Sequence, residues 1–153
     1  MRFTKQPFGG VTTTFVAGIT ALFLACSGED SDEQPQSEES VPPTAHIVQP
    51  TEHATVDGPD VLVRLAVQGI SLAPAGLDSA NTGHLHIFVN HDLTPEGEVI
   101  PAGEGIIHLG LAQSEHLLAG LEPGEYLVIA VLGDYLHARI PGSRTDTVRF
   151  TVR

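Results

Sequence analysis

Sulfur-containing side chains are nearly absent from this chain. Its 153 residues include one cysteine, Cys26, one methionine, which is the initiator, and no tryptophan. A single cysteine excludes a disulfide within the chain. Because Cys26 lies near the N-terminus, the remaining sequence has no thiolate for metal binding or nucleophilic catalysis. The lack of cysteine and methionine ligands also argues against soft Cu(I) chemistry.

Enzyme signatures are missing as well. The sequence contains no Gly-x-Ser-x-Gly turn, no phosphate-binding Gly-Lys-Thr loop, no His-Glu-x-x-His helix and no dinucleotide-binding fingerprint. Glu96, Glu98 and Glu104 crowd one segment, but such acidic loops are usually solvated and only rarely supply the paired carboxylates of a hydrolase. We therefore do not expect an enzyme, and a metal-dependent hydrolase or dismutase-like enzyme is a remote alternative.

The longest apolar run is too short to cross a membrane permanently. Residues 11–24 are almost uncharged and follow Arg2 and Lys5, whereas a transmembrane helix needs about 20 apolar residues. The run ends in Phe-Leu-Ala-Cys, which resembles the lipobox of bacterial lipoproteins, with Phe23 where leucine is usual. The sequence predicts a signal peptide over 1–25 and lipidation of Cys26. A plain signal peptide with a chance cysteine is the alternative.

Basic residues are scarce beyond the signal peptide. The rest of the chain has 5 arginines and no lysine against 19 acidic residues, a formal charge of −14. Six of the acidic residues fall in 27–43 among Ser, Gln and Pro, a composition typical of disordered linkers. We predict that 26–43 tethers a folded domain at 44–153 to a lipid anchor in the cell envelope, on its periplasmic or extracellular face. The charge argues against nucleic acid, and against any membrane contact except the anchor.

From residue 44 onward, apolar and polar residues alternate in short segments that are separated by Pro, Gly, Asn and Asp. These segments show no helical periodicity. Residues 61–67 alternate clearly, and residues 145–152 close the chain with a further alternation. Residues 126–132 are apolar on both faces, which predicts a central strand. We interpret 92–105 as an irregular crossing with at most a short strand near Val99.

The predicted architecture is all-β. The Leu-x-Pro-Gly-x-Tyr turn that ends at Tyr126 is similar to the tyrosine corner of immunoglobulin-like sandwiches. Together with the number of short alternating segments, this turn predicts an immunoglobulin-like antiparallel β-sandwich of about seven strands. Residues 69–82 are predicted to form a surface loop.

Three of the eight histidines lie in residues 83–92, which read Gly-His-Leu-His-Ile-Phe-Val-Asn-His-Asp. This pattern is typical of one strand and its outgoing turn. Because strand side chains alternate between faces, His84 and His86 are predicted to stand side by side on the face opposite Leu85. That arrangement suits metal chelation, and it equally suits an ordinary polar outer face. His91 falls in the turn, where we interpret it as an ordinary surface residue.

A metal site would need more ligands than this pair. His108 and His137 are the candidates, with Asp134 or Glu115 as a carboxylate ligand or as the group that orients an imidazole. Neutral imidazole is a common ligand of Zn(II) and Cu(II). Because metal–nitrogen bonds are about 2 Å long, the hypothesis requires rings from the strand pair and the other two histidines to lie within about 5 Å.

The sequence resembles a bacterial exported family of unknown function that is marked by Gly-His-His-His, the DUF4399-like domains. The resemblance extends from about residue 80 to the C-terminus and rests on the order and spacing of six segments: 83–86, 100–102, 108–110, 113–115, 123–126 and 132–137. This chain departs from the family pattern by having Leu85, Ile106, Arg139 and Ile140 where the family has His, His, Pro and His.

Four histidines remain from that richer set: His84, His86, His108 and His137. They are either the indispensable ligands or what is left of a decayed site. The resemblance implies location and fold more than activity, since the family has no established one. Two functions stay open: a site for Cu(II) or Zn(II), or an immunoglobulin-like binding or adhesion module, without metal, for an envelope protein or glycan.

Overall fold

The computed structural model describes residues 41–153. The predicted signal peptide, Cys26 and most of the acidic linker lie outside the described residues. All regular secondary structure from 41 to 153 is β, in nine strands: β1 Thr44–Gln49, β2 Ala54–Val56, β3 Val61–Gln68, β4 Ser71–Leu72, β5 Thr82–Val89, β6 Ile106–Leu109, β7 Glu115–Leu118, β8 Gly124–Gly133 and β9 Asp146–Val152. Within this range no helix has the length and apolar character to cross a membrane.

The strands form two sheets. The smaller has the order β1-β3-β7, and the larger has the order β2-β9-β8-β5-β4, with β6 also paired to β5. Pairing is antiparallel except for the short strands β2, which is parallel to β9, and β4, which is parallel to β5. The prediction of an all-β, sandwich-like fold is therefore confirmed. The pattern missed β2 and β4 because two or three residues are too few to show an alternation.

One apolar core joins the two sheets. Val61, Val63 and Leu65 of β3 pack with Leu85 and Ile87 of β5 and with residues of β8 and β9. These positions alternate along each strand, as expected when one face of a strand is buried. Strand β8 lies between β5 and β9, in agreement with the prediction of a central strand.

A second, smaller core lies on the opposite face of the larger sheet. Phe88 of β5 packs there with Ile129 and Val131 of β8 and with Ile100 from the 92–105 segment. That segment forms no extended strand, and its contact at Val99 is a single bridge to Ala138. Because it covers the sheet, the β5 face that carries His84 and His86 is not an ordinary polar outer face, and the two side chains are 1% and 2% exposed.

Tyr126 forms the predicted tyrosine corner. Its hydroxyl donates a hydrogen bond to the Glu122 carbonyl at 3.0 Å, and its ring stacks on Phe150 with the centroids 5.7 Å apart. The contact closes the turn that leads into β8.

Replacing Tyr126 with Phe should lower the free energy of unfolding by about 1 kcal/mol, the usual contribution of one such hydrogen bond. Denaturant unfolding of the purified protein measures this difference. Tyr135→Phe is the matched control, because Tyr135 is the only other tyrosine and is 38% exposed. Equal stability of wild type and Tyr126→Phe would show that the corner does not contribute.

Candidate metal centre

Strand β5 presents the first two histidines. His84 and His86 are two residues apart, so their side chains leave the strand on the same face. Their Nε2 atoms lie 2.9 Å apart, and their ring centroids lie 4.8 Å apart. Leu85 and Ile87 point the other way into the main core. The register of β5 is therefore fixed by apolar burial, and the same register places both imidazoles together.

Strand β6 adds His108. It pairs antiparallel with β5 so that His108 stands directly opposite His86, and directly opposite residues have Cβ atoms about 4.5–5.5 Å apart. The His108 ring centroid is 5.0 Å from that of His86 and 4.9 Å from that of His84. The sheet register alone thus brings the third ring to the strand pair.

His137 arrives from the loop after β8. Its backbone is left-handed, with φ at 65°, a conformation that non-glycine residues rarely adopt and that clusters at functional sites. The Asp134 carboxylate holds this loop by accepting hydrogen bonds from the backbone N–H groups of Leu136, at 2.8 Å, and Ala138, at 2.9 Å. The His137 carbonyl accepts a further bond from the Ile100 N–H at 2.8 Å.

The four rings converge. The His137 centroid lies 4.8 Å from that of His84 and 4.6 Å from that of His108, and the Nε2 atoms of His137 and His108 are 3.2 Å apart. The ligand nitrogens of His84, His108 and His137 all lie within 4.8 Å of one another. The spacing of about 5 Å that the metal hypothesis requires is therefore present.

Two of these separations match those of ligands around one ion, whereas the 4.8 Å limit of the three-residue set exceeds the distance of about 4.2 Å that two metal–nitrogen bonds can span, so the rings would draw closer around an ion. Metal–nitrogen bonds of about 2.0–2.1 Å that meet at about 90–110° place neighbouring nitrogens about 2.9–3.4 Å apart. The two Nε2 pairs, at 2.9 and 3.2 Å, lie in that range. His86 is outside the three-residue set, but its Nε2 touches that of His84, so it is the fourth available nitrogen.

Burial keeps the inner imidazoles neutral. The pKa of His84 is lowered to about 4, first by burial and then by His108 and His137, while Asp134 opposes this shift. The pKa of His86 is lowered to about 3 by burial and by the neighbouring imidazoles. Burial and His137 also lower the pKa of His108. The neutral ring is the form that donates a lone pair to a metal.

Protein groups alone do not satisfy this cluster. The Nδ1 atoms of His84 and His86 are buried and have no hydrogen-bond partner among the described residues. Buried polar atoms without partners are uncommon and need an explanation. The Nε2 atoms of the same two rings pair with each other, so the unpaired atoms lie on the side of each ring away from that contact, and a metal bound at Nε2 would leave them unpaired too.

Two glycines leave space for the rings. A Cβ atom on Gly133, which stands opposite His84, would lie 3.0 Å from the Nε2 of His86 and 3.3 Å from that of His84. A Cβ atom on Gly110 would overlap the His108 ring. Sequence reasoning did not single out these glycines for the site, because nothing in the sequence showed which backbone would face the imidazoles.

The two predicted carboxylates have different places. Asp134 lies beside the cluster, where its carboxylate binds backbone N–H groups of the His137 loop. Glu115 is on β7 in the smaller sheet and forms an exposed ion pair with Arg64 at 3.3 Å. The structure therefore groups Asp134, and not Glu115, with the four histidines.

Residues 63–153 match the family model described as Domain of unknown function (DUF4399). The match covers more than half of the chain and includes all four clustered histidines. The chain belongs to the DUF4399 family. The DUF4399 region begins at residue 63, so it also includes most of β3, whereas the resemblance predicted from the sequence began near residue 80. No curated protein matches this DUF4399 chain.

Proposed function

We propose that this DUF4399 protein binds a divalent transition metal ion, Cu(II) or Zn(II), through its histidine cluster. The observation that carries the proposal is the convergence of the ligand nitrogens of His84, His108 and His137 within 4.8 Å. His86 supplies a fourth nitrogen beside His84. The residues arrive from β5, from β6 and from the loop after β8, so the site needs the folded sheet.

The donor chemistry supports this choice of metals. Imidazole suits Zn(II) and Cu(II), whereas Ca(II) and Mg(II) take oxygen ligands. The chain has no cysteine beyond residue 26 and no methionine beyond residue 1, which disfavours Cu(I). The metal would be held on neutral rings, as the lowered pKa values of His84 and His86 require.

We also propose that the domain works in the cell envelope. The lipobox-like residues before Cys26 and the acidic segment after it support a lipid-anchored protein held on a tether. Metabolic labelling with a radioactive or clickable fatty acid tests the anchor. Wild type should be labelled and Cys26→Ser should not, and absence of label from the exported wild-type protein would contradict the anchor.

Metal stoichiometry tests the proposed binding. The full-length protein with Cys26→Ser, which removes the only thiol, is loaded with Zn(II) or Cu(II), desalted and measured by mass spectrometry of the metal. About one equivalent of bound metal per protein is expected. The double variant His84→Ala, His86→Ala should hold none.

The matched control changes two histidines outside the cluster. His46 is exposed on β1 and His116 lies on β7, both in the smaller sheet. The His46→Ala, His116→Ala variant should retain the metal. A wild-type protein that holds no more copper or zinc than the His84, His86 variant would refute the proposal.

Asp134 should affect metal affinity through the loop that it holds. Replacing Asp134 with Ala removes the acceptor for two backbone N–H groups and should weaken metal binding about 10–100-fold, the usual effect of losing a group that orients a ligand. Asp134→Asn keeps an acceptor oxygen and should retain most of the affinity. Competition with a chromophoric chelator measures both, and Asp78→Ala on an exposed loop is the control. Equal losses of metal affinity in the Ala and Asn variants would indicate that Asp134 acts through its charge and not through the loop geometry.

The second candidate is a binding or adhesion module without metal. It would use the connections 69–82 and 92–105, on which Leu77 is 52% and Val99 is 65% exposed. Capture of an envelope protein or glycan that survives both a chelator and the His84, His86 change would favour this function. Loss of capture in a Leu77→Ser, Val99→Ser variant would assign it to the loops.

A further inference from the structure

A small pocket opens beside the histidine cluster. Its volume is about 160 Å³. Three cluster rings form part of its wall, and the remaining lining residues are apolar: His86, His108 and His137, with Ile100, Pro101, Ala102 and Ile106. Apart from the imidazoles, no lining residue has a polar side chain. The pocket is therefore a short apolar recess that ends at nitrogen ligands.

The cluster has a closed side and an open side. His84 is 1% exposed and does not line the pocket, and the backbone at Gly133 packs against it on the inner side. His108, by contrast, is exposed. An ion among His84, His108 and His137 would thus have protein behind it and the pocket in front of it. No described side chain other than an imidazole reaches in to complete its coordination from the pocket.

We propose that the metal ion keeps a coordination position that faces this pocket and takes a small, exchangeable, monodentate ligand such as hydroxide or azide. This inference rests on the proposed metal binding. Metal sites with three protein ligands commonly keep such an open position, whereas Zn(II) sites with four protein ligands are closed. With His84, His108 and His137 as the three ligands, the position that faces the pocket is therefore open.

The pocket also sets the class of ligand. An apolar cavity of about 150 Å³ holds a molecule the size of benzene, so about six heavy atoms of a ligand fit inside this pocket. Because the wall opposite the imidazoles is apolar, a ligand gains its polar contacts at the metal and from the cluster rings. Neutral molecules and small single-charged anions fit this surface, whereas the wall has no Lys or Arg side chain to neutralise the second charge of a phosphate ester.

Azide titration of the cobalt-loaded protein tests the inference. Co(II) reports its coordination through its visible absorption bands, and the Cys26→Ser full-length protein is used so that no thiol contributes. We expect azide to shift the bands with saturation at one azide per cobalt. Ala102→Phe fills the pocket and should weaken azide binding at least tenfold while the bound cobalt stays at one equivalent. Ile106→Phe is a second variant, should Ala102→Phe not fold.

Ala119→Phe makes the same change at an exposed turn after β7 and should leave the azide affinity unaltered. Bound cobalt with no azide-dependent shift would overturn the inference while leaving the metal proposal intact. Unchanged azide affinity in both pocket variants would overturn it too. Failure to bind cobalt, zinc and copper would overturn the metal proposal and the inference with it.

Discussion

Saturation with Zn(II) is expected to raise the melting temperature of the protein by about 10 °C. A ligand that binds only the folded state stabilises it by about 2.7 kcal/mol at a free concentration 100 times its Kd. In a domain of this size, 1 kcal/mol moves Tm by about 4 °C. The ligands come from three separate places in the chain, β5, β6 and the loop after β8, so the unfolded chain cannot present them together.

Thermal unfolding with increasing Zn(II) measures this effect. The rise should continue with the logarithm of the free metal concentration, because the linkage has that form. His108→Ala should remove most of the rise, and it is the informative single variant because His108 is exposed and its loss costs little packing. The Tm of the His46→Ala, His116→Ala variant should rise with Zn(II) as that of the wild type does. A Tm that is independent of zinc in the wild type would contradict specific binding to the folded state.

The metal-free protein is expected to lose several kcal/mol of stability between pH 7 and pH 4. The pKa of His84 falls from 6.5 to about 4 on folding, and that of His86 falls to about 3, in both cases first because of burial. Below pH 6.5 these two histidines therefore bind protons in the unfolded chain but not in the folded protein. The contribution of these two histidines to the free energy of unfolding is complete above pH 6.5. It is lost as the pH falls towards their folded-state pKa values.

The magnitude is large relative to the stability of a small domain. One pKa unit corresponds to about 1.4 kcal/mol, so two buried rings with shifts of this size give a loss on the order of 5 kcal/mol by pH 4. Small domains are stable by about 5–15 kcal/mol in total. We therefore expect the metal-free protein to be close to its unfolding transition near pH 4.

Urea unfolding at a series of pH values, with chelator present, tests this expectation. His86→Leu replaces a buried ring by an apolar side chain that does not titrate, so its stability should fall less steeply below pH 6.5. His46→Gln, an exposed histidine on β1, should follow the wild-type curve. A wild-type free energy of unfolding that stays constant from pH 7 to pH 4.5 would contradict the burial of neutral histidines.

Much of the fold follows from local pattern. The alternation in 61–67 and 145–152 and the two-sided apolar run in 126–132 each became a strand, because side-chain direction in a strand has a period of two. The tyrosine corner at Tyr126 was also predicted, since a short turn determines its hydrogen bond to Glu122. By contrast, β2 depends on pairing with β9, at the far end of the chain, and β4 pairs with the next strand but is only two residues long, so neither has a local signal of its own.

The candidate site divides in the same way. The sequence by itself determined that His84 and His86 share a face, because residues two apart on a strand must do so. Only the tertiary structure decided that this face is buried, since its cover is the irregular 92–105 segment. It likewise decided that His108 stands opposite His86 and that His137 reaches them from a loop held by Asp134. Strand register and loop closure join residues far apart in the chain, and no periodicity in the sequence encodes such contacts.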